Sequence, residues 1–352
     1  MDSITQAALG AAVAGAVAER RCNGRVLIAG AILGTLPDLD VFIDYGNDVR
    51  NMISHRGLSH SLLVLPSFSL VLAWLVNRFR PLSGWSFARL WALIAATLIS
   101  HPLLDFFTSY GTQLLWPLGG YYSLSSIFII DPLYTTPLLI AILYRPVRRG
   151  KATKVLCLAL VVSSAYLGWS LVAKQLVANR VQGNLPHPGI THKQILISPT
   201  PFNTLLWRIV IVDEESYWEG LASLLDAEQG ISFERRARGD WPLEQYPPIL
   251  NSFLAFTHDF VRYQIDDKKL VVTDLRLGMF ENLPFRFVFA EQGTDGQWLI
   301  KEPVRLAASI GDIDLWSFIK RIFGYQAIDD SSRRKNSVDS GNTKASVIPK
   351  HS

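Results

Sequence analysis

Six apolar segments fill the first half of this 352-residue chain, and they constrain its fold more than any other feature. They run over Ile4–Ala18, Val26–Ile43, Leu62–Val76, Leu90–Phe107, Ser126–Tyr144 and Val155–Leu171. Most approach the roughly 20 apolar residues that cross a bilayer as a helix. The first is shorter and rich in alanine and glycine, so it either spans or is re-entrant. The sequence therefore predicts an α-helical multi-span membrane domain of about five to six helices.

The links between these segments differ in charge. Basic residues concentrate in the three odd-numbered links, as Arg20, Arg21, Arg25, Arg78, Arg80, Arg89, Arg145, Arg148, Arg149, Lys151 and Lys154. The segment 108–125 contains no Lys or Arg. Basic loops stay on the cytoplasmic side of a membrane, so the even-numbered links and all residues after 172 are predicted to lie outside the cytoplasm. We expect a multi-pass protein of the cytoplasmic (inner) membrane with an extracytoplasmic C-terminal domain.

The composition changes near Lys174, where prolines, charges and short alternating apolar runs replace the long apolar segments. Strands are predicted over Gln194–Ile197, Leu205–Val212, Leu270–Leu277, Phe285–Phe289 and Trp298–Ile300, and a helix over Ile313–Phe323. These runs predict a smaller α+β or mostly β domain. The predicted limits are 1–172 for the membrane domain, 173–328 for the second domain and 329–352 for a polar, disordered tail.

Charge and cysteine content exclude several classes of function. The formal net charge of +4 comes largely from short loops and the tail, so no long basic face for nucleic acid is expected. Cys22 and Cys157 are the only cysteines, which excludes a disulfide framework and a CxxC metal site. Any bound metal must therefore use histidine and carboxylate ligands.

Acidic and histidine side chains gather at the predicted outer ends of the apolar segments. The stretch Gly34–Ser61, GTLPDLDVFIDYGNDVRNMISHRGLSHS, lies between two apolar segments, where ionisable groups are costly unless they pair, bind metal or face a polar cavity. His101 and Asp105 are four residues apart and share one helix face. The candidate metal ligands are Asp38, Asp40, His55, His60, His101 and Asp105. The alternative is a polar loop between helices, with His101 as a helix cap or an ion-pair partner of Asp105.

Imidazole and carboxylate ligands without thiolate favour Zn, with Mn and Fe as alternatives, and six candidates suffice for one ion or a bridged pair. Arg56 offers a bidentate donor to a phosphate or carboxylate. Asp131, within an apolar run, is a candidate ligand or base. Hydroxyl groups that can contact substrate, orient ligands or cap helices belong to Ser59, Ser61 and Thr108.

Five motifs in order give the chain a resemblance to a known family. They are MDSITQAALGAAV, GAILGTLPDLD, HRGLSHS, HPLLDFFTSYGTQLLWP and SIFIIDPLYTTPLL, and they cover about residues 1–140. At these motifs the chain resembles the YdjM-like (DUF457) family of membrane-bound metal-dependent hydrolases. The resemblance implies a multi-span fold with a metal site and hydrolase chemistry. Many relatives carry His at the position of Gln6, so a ligand from the first helix is not expected here.

The sequence thus predicts a membrane-embedded hydrolase that cleaves a phosphoester or ester of an amphiphilic or lipid-linked substrate, with Arg56 and Asp131 as catalytic candidates. Membrane lipid or a lipid-linked compound is the expected partner. One alternative is a proton-coupled transporter or channel, in which buried Asp and His relay protons. A second alternative is a non-enzymatic membrane anchor for an extracytoplasmic binding module.

Overall fold

The computed structural model describes residues 1–80, 82, 84–144, 152–186, 194–227, 230–307 and 314–325. Two compact units make up this part of the chain. Unit 1 comprises Met1–Gly46, Arg50–Gln175 and Ser198–Thr204, and unit 2 comprises Asn47–Val49, Leu176–Ile197 and the described residues from Leu205 onward. The tail predicted to be disordered, 329–352, lies outside the described residues, and the predicted domain limits stay predictions.

Helices dominate the first part of the chain. They are α1 (Ser3–Ala18), α2 (Gly24–Thr35), α3 (Asp48–Ser54), α4 (Leu65–Phe79), α5 (Phe87–Asp105), α6 (Pro132–Tyr144) and α7 (Ala152–Gln182). Six of them coincide with the apolar segments, while α3 lies in a predicted link. Two 3-10 segments, Leu36–Phe42 and Leu58–His60, flank α3.

The count of predicted spans is not confirmed. Within the described chain, two helices are long and apolar enough to cross a membrane, α5 and Thr153–Gln182 of α7. A third span is present if α4 and the segment Asp48–His60, bent by 60°, form one span. Helices α1, α2 and α6 have 16, 12 and 13 residues, fewer than the roughly 20 that a straight span needs. The predicted segments were too long because the apolar pattern continues past helix ends, as in the 3-10 segment after α2.

Small residues allow α1 and α2 to pack closely. A Cβ on Gly10 would lie 2.3 Å from the carbonyl oxygen of Gly30, and a Cβ on Gly34 would lie 2.5 Å from the carbonyl oxygen of Gln6. Ala12 and Ala14 of α1 are fully buried. The close crossing of α1 and α2 therefore requires glycine at these positions. This crossing brings the end of α2 next to the first turns of α1.

The chain after α7 forms two four-stranded antiparallel sheets of consecutive strands, which belong to unit 2 except for Ser198 and Pro199. The first sheet holds β1 (Gln194–Pro199), β2 (Leu206–Val212), β3 (Ser216–Ser223) and β4 (Phe233–Ala237); the second holds β5 (Val261–Asp266), β6 (Lys269–Asp274), β7 (Arg286–Gln292) and β8 (Trp298–Arg305). Helices α8 (Pro248–Thr257) and α9 (Leu315–Ile322) complete the unit. The five predicted strands and the final helix are confirmed, whereas β3, β4, β5 and α8 were not predicted.

Aromatic side chains fill part of the core of unit 2. Phe253 of α8 packs edge-on against Phe287 of β7, with ring centroids 5.3 Å apart. Both rings are fully buried, as is Tyr217 of β3. Such rings bury large apolar areas, so α8 is held on the second sheet by core packing.

Candidate metal centre

Two 3-10 segments and one long helix bring four acidic and histidine side chains together. Asp38 lies on the 3-10 segment that follows α2, and His60 ends the second 3-10 segment. His101 and Asp105 lie one turn apart at the end of α5. The i, i+4 spacing places both α5 side chains on one face, and the close approach of α1 and α2 places Asp38 beside them.

Four ligand atoms of these residues converge. The Nε2 atoms of His60 and His101 are 3.1 Å apart. Oδ1 of Asp38 lies 3.3 Å from Nε2 of His101 and 3.5 Å from Nε2 of His60. Oδ2 of Asp105 lies 3.4 Å from Nε2 of His60 and 3.5 Å from Nε2 of His101. Only the Asp38 side chain is partly exposed, at 20%, so the cluster opens to its surroundings on that side.

The outer nitrogens of both imidazoles fix the tautomers. His101 Nδ1 lies 2.6 Å from the carbonyl oxygen of Gly34, which only accepts, so Nδ1 carries the proton and donates it. Ser59 Oγ donates to Oδ2 of Asp40 at 2.5 Å and accepts from His60 Nδ1 at 2.9 Å. Both Nε2 atoms therefore present lone pairs to the centre, as metal-ligating histidines do.

Four lone pairs thus face one another. Within the described residues, Asp38 Oδ1 and Asp105 Oδ2 are buried and accept no hydrogen bond. A buried acceptor without a partner costs about 1–3 kcal/mol. Five of the six separations between these atoms are 3.1–3.5 Å, near the edge of about 3.3–3.4 Å that bonds of about 2.0–2.1 Å give in a tetrahedron, and all four atoms lie within 4.8 Å of one another. The four side chains therefore fit a divalent cation.

The other oxygen of Asp105 is already occupied. Its Oδ1 accepts from the Met1 amino group and, at 3.1 Å, from Nε2 of Gln6. Gln6 also donates to the carbonyl oxygen of His101 at 3.3 Å. These contacts from α1 fix the carboxylate so that Oδ2 faces the two imidazoles. Gln6 therefore acts as an orienting donor to Asp105.

Asp40 organises the layer outside the four ligand atoms. Its Oδ1 lies 2.6 Å from Nδ1 of His55, and its Oδ2 accepts from Ser59 Oγ and, at 3.0 Å, from the backbone NH of Arg56. Through Ser59 it orients His60. Carboxylates in this position hold ligating histidines in one orientation and tautomer.

Arg56 borders the cluster. Its Nε lies 3.2 Å from Oδ2 of Asp105, its Nη1 donates to Thr108 Oγ1 at 3.2 Å, and its guanidinium covers the Tyr110 ring at 4.8 Å. The residue is 6% exposed and has a φ of +66°, in the left-handed region. Asp40 holds that backbone conformation, so the positive charge is fixed beside the ligand atoms.

Both aspartates of the 3-10 segment are held ionised by their neighbours. Burial alone would raise the pKa of the Asp38 carboxyl, but the protonated forms of the His101 and His60 imidazoles, which donate to it when no cation is bound, hold that pKa below its ordinary value. Burial likewise opposes ionisation of Asp40, and the His55 imidazole and the Ser59 hydroxyl lower its pKa. Both carboxylates are therefore acceptors at neutral pH.

The sequence model of the family "YdjM inner membrane protein" matches residues 1–177, which include the whole cluster. The chain belongs to the YdjM family. The match ends near the boundary of unit 1, so the two sheets of unit 2 lie outside the part that the family defines. The family places the chain among inner membrane proteins, in agreement with its candidate transmembrane helices.

Two curated relatives are similar over parts of their length. "Uncharacterized protein YfhP" of Bacillus subtilis (strain 168) is 27% identical over 196 residues, 55% of this chain and 58% of that protein. "Inner membrane protein YbcI" of Escherichia coli (strain K12) is 34% identical over 118 residues, 32% of this chain and 66% of that protein. The chain thus spans less than two thirds of either relative. No solved structure shows significant similarity to it.

The structure brings four of the six predicted ligands of this YdjM-family chain together, Asp38, His60, His101 and Asp105. The other two, Asp40 and His55, pair with each other outside that cluster. The side chains at positions 38 and 40 turn to different partners within one 3-10 segment, so the ligand roles of Asp40 and His55 stay predictions.

Asp131 has the contacts of a residue that begins a helix. Its Oδ1 accepts from the backbone NH of Leu133 at 3.0 Å, and its Oδ2 accepts from the hydroxyl of Tyr166 at 2.9 Å. The residue is fully buried at the start of α6. Both oxygens are engaged, so its observed contacts join α6 to α7 instead of leading to the four ligand atoms.

Some groups at the site were not predicted. The carbonyl of Gly34 and the amino group of Met1 contact His101 and Asp105, respectively. Gly30 and Gly34, four apart in α2, were the available signal, because that spacing is typical of close helix packing. The predicted hydroxyl Ser61 donates to the carbonyl oxygen of Trp116 at 2.7 Å, a structural contact.

Proposed function

We propose that unit 1 is a metal-dependent hydrolase domain whose divalent ion is held by Asp38, His60, His101 and Asp105. The observation that carries this proposal is the convergence, in a buried site, of two imidazole lone pairs and two carboxylate oxygens that accept no hydrogen bond from the described residues. A bound cation removes the repulsion among these four lone pairs, and it compensates the cost of burying the carboxylate oxygens away from water. When bound, such an ion lowers the pKa of a water and polarises a phosphoryl or acyl oxygen.

Zinc is the ion that we propose, with manganese and iron as alternatives. Imidazole nitrogen and carboxylate oxygen suit all three, and zinc is preferred because two imidazoles with two carboxylates form a ligand set that it commonly binds and five of the six separations suit its short bonds. Both imidazoles are in the tautomer that presents Nε2. No sulfur ligand is needed, in agreement with cysteines only at positions 22 and 157.

The surrounding residues support distinct roles in this proposal. Asp38, whose side chain is partly exposed, marks the side from which water and substrate enter. Arg56 is fixed next to Asp105 and stabilises negative charge on a phosphoryl or carboxyl oxygen. Asp40 positions His60 through Ser59. For Asp131 we propose a positioning role at the start of α6.

The membrane setting suggests the substrate class. The two α5 ligands lie at the end of a candidate span, so the site is near a membrane face, where amphiphilic or lipid-linked esters and phosphoesters concentrate. The basic links between the apolar segments favour the cytoplasmic side, so we place the metal site at the outer face of the membrane and unit 2 outside the cytoplasm. This orientation is part of the proposal.

Purified full-length protein tests the chemistry directly. The zinc-loaded protein is assayed on a panel of phosphomonoesters, phosphodiesters, phospholipids and carboxylic esters, with and without a chelator. We expect hydrolysis of at least one class, loss of it with the chelator and in His101→Ala, and retention of it in Asp44→Ala. Asp44 is the control because it lies in the same link and, among the described residues, accepts hydrogen bonds from Gly46 and Asn51 and not from the four ligand residues. A metal-loaded protein without activity on any class would contradict the hydrolase proposal.

A second candidate is a structural metal site. Four protein ligands complete a tetrahedron, which is the pattern of structural zinc sites, whereas catalytic zinc keeps an open position. This candidate predicts that the chelator unfolds unit 1 and that the substrate panel remains uncleaved. The hydrolase proposal instead requires that water or substrate enter at the exposed side of Asp38 as a further ligand or in place of its carboxylate.

A further inference from the structure

Helix α9 of unit 2 carries apolar side chains that nothing in the described residues covers. Trp316, Lys320 and Phe323 follow the i, i+4, i+7 pattern of a single helix stripe, and Leu315 lies beside it. Leu315, Trp316 and Phe323 are each about 60% exposed, and Tyr325 just beyond is 64% exposed. An apolar stripe of this kind on a helix indicates a contact surface.

The opposite face of α9 is firmly held, so the stripe has a fixed direction. Arg321 is buried and its Nη1 donates to Oδ1 of Asp226 at 2.6 Å, while its Nη2 donates to the carbonyl oxygen of Leu221 at 2.9 Å. Ser223 Oγ donates to the carbonyl oxygen of Ile322 at 2.6 Å. The helix is therefore fixed to the first sheet through Arg321, and rotation that would hide the stripe breaks a buried ion pair.

The same carboxylate joins α9 to the end of the membrane helix. Oδ2 of Asp226 accepts from Nη2 of Arg180 at 3.0 Å, and Nη1 of Arg180 donates to the carbonyl oxygen of Ser223 at 2.9 Å. Arg180 belongs to the last turn of α7, in the part of that helix that lies within unit 2. Asp226 thus bridges the end of a candidate span and α9.

Helix length allows this bridge to lie at the membrane surface. The 31 residues of α7 extend about 46 Å, more than the roughly 30 Å of a bilayer's apolar core. The helix therefore extends beyond the apolar core, so its charged end with Arg180 can reach the head-group layer. A helix joined to it through one carboxylate lies at the same level.

We propose that α9 lies in the lipid head-group interface, with Trp316 and Phe323 inserted toward the acyl chains and Lys320 facing lipid phosphates. Trp, Tyr and Lys are the residues that membranes select at this depth. Lys320 Nζ lies 5.7 Å from the Trp316 ring, so the charge and the aromatic ring occupy one surface. The α9 stripe is too small for a stable protein partner, because eight residues extend about 12 Å and a standard interface buries about 800 Å² per partner.

Site-directed fluorescence in a reconstituted bilayer tests this proposal. The full-length chain with Cys22 and Cys157 replaced by serine receives one cysteine, by Trp316→Cys, by Phe323→Cys or, as the control, by Thr294→Cys in the exposed β7–β8 turn. An environment-sensitive dye is attached to each. Vesicles of phosphatidylglycerol and phosphatidylcholine carry nitroxide-labelled lipid, and iodide serves as the aqueous quencher.

We expect nitroxide lipid to quench the dye at positions 316 and 323 at least about twofold more than at 294, because interfacial helices bury their apolar face about 5–10 Å deep. Iodide should show the opposite order. Iodide quenching at 316 and 323 without lipid quenching would overturn the proposal, since the stripe would then face water. Protection from both quenchers would also overturn it, because a second copy of the chain or residues 326–352 would then cover the stripe. Equal quenching by nitroxide lipid at positions 316, 323 and 294 would also overturn the proposal.

Discussion

In unit 2 the buried charged side chains are arginines and carboxylates that pair with one another, whereas in unit 1 the buried cluster brings four acceptor atoms together, with Arg56 paired to Asp105 at its border. Arg276 Nη2 donates to Asp274 at 2.8 Å, and Arg208 pairs with Glu219 at 2.5 Å. In unit 1, by contrast, the imidazoles of His60 and His101 meet two carboxylate oxygens. An oppositely charged partner offsets the cost of burying a charge, but acceptor atoms that converge on one point need a bound cation to offset that cost. Buried charge is therefore structural in unit 2, whereas in unit 1 it forms a candidate ligand-binding site.

The largest effect expected is the loss of metal from the cluster. His101→Ala and His60→Ala should each lower zinc affinity by more than the roughly 10- to 100-fold that changes outside the ligand set cost, because each removes one of four ligands. Competition with a fluorescent chelator on the purified protein measures this. His55→Ala is the matched control, since His55 lies in the same link but pairs with Asp40. A larger loss in His55→Ala than in His60→Ala would contradict the assignment.

Breaking a pair in unit 2 should cost stability without changing metal binding. Asp274→Ala leaves the buried guanidinium of Arg276 without its carboxylate, and the expected loss is about 3–5 kcal/mol of the free energy of unfolding. Denaturant unfolding followed by circular dichroism measures it. The double variant Asp274→Leu/Arg276→Leu should recover much of the loss, because no charge is then left unpaired. If Asp274→Ala instead removed the metal, the two units would not differ in the way described.

A smaller effect is expected in the layer outside the ligands. Ser59→Ala removes the hydroxyl that joins Asp40 to His60 Nδ1, so His60 loses its orienting partner but keeps its lone pair. Zinc affinity should fall about 10- to 100-fold. Ser59→Thr, which keeps the hydroxyl, should recover most of it. Unchanged affinity in Ser59→Ala would show that the relay from Asp40 does not orient the ligand.

The smallest effect is expected at an exposed acid in the link. Asp44→Ala should leave zinc affinity unchanged and stability within about 0.5 kcal/mol, because surface substitutions away from special features are usually within that range. Titration of zinc into the variant measures the affinity. A marked loss would indicate that general negative charge, not the four ligand atoms, attracts the ion.

Sequence reasoning located the cluster because the features involved are local. The spacing of His101 and Asp105 and the concentration of acids and histidines at one end of the apolar segments depend on residue type alone. It did not separate Asp38 from Asp40, since their partners come from distant parts of the chain. The contact from the carbonyl of Gly34 was equally hidden, because a backbone carbonyl is present at every residue.

The fold was predictable to a similar extent. Apolar runs marked six helices, but hydropathy could not show where a helix gives way to a 3-10 segment, so the predicted number of spans is not confirmed. In unit 2, β4 (FERRA) has mainly charged residues and β3 contains Gly220, so neither shows a clear apolar alternation. Pairing with neighbouring strands stabilises them, and pairing is not a local property.

Metal content and ligand type together test the central claim most directly. Elemental analysis of purified full-length protein, followed by X-ray absorption at the edge of the metal found, should give about one zinc ion per chain with only nitrogen and oxygen ligands at about 2.0–2.1 Å. The outer scattering should correspond to two imidazoles, from His60 and His101, and should disappear in His101→Ala together with the metal. Protein that binds no transition ion when zinc is supplied, or an ion with sulfur ligands, would contradict the account.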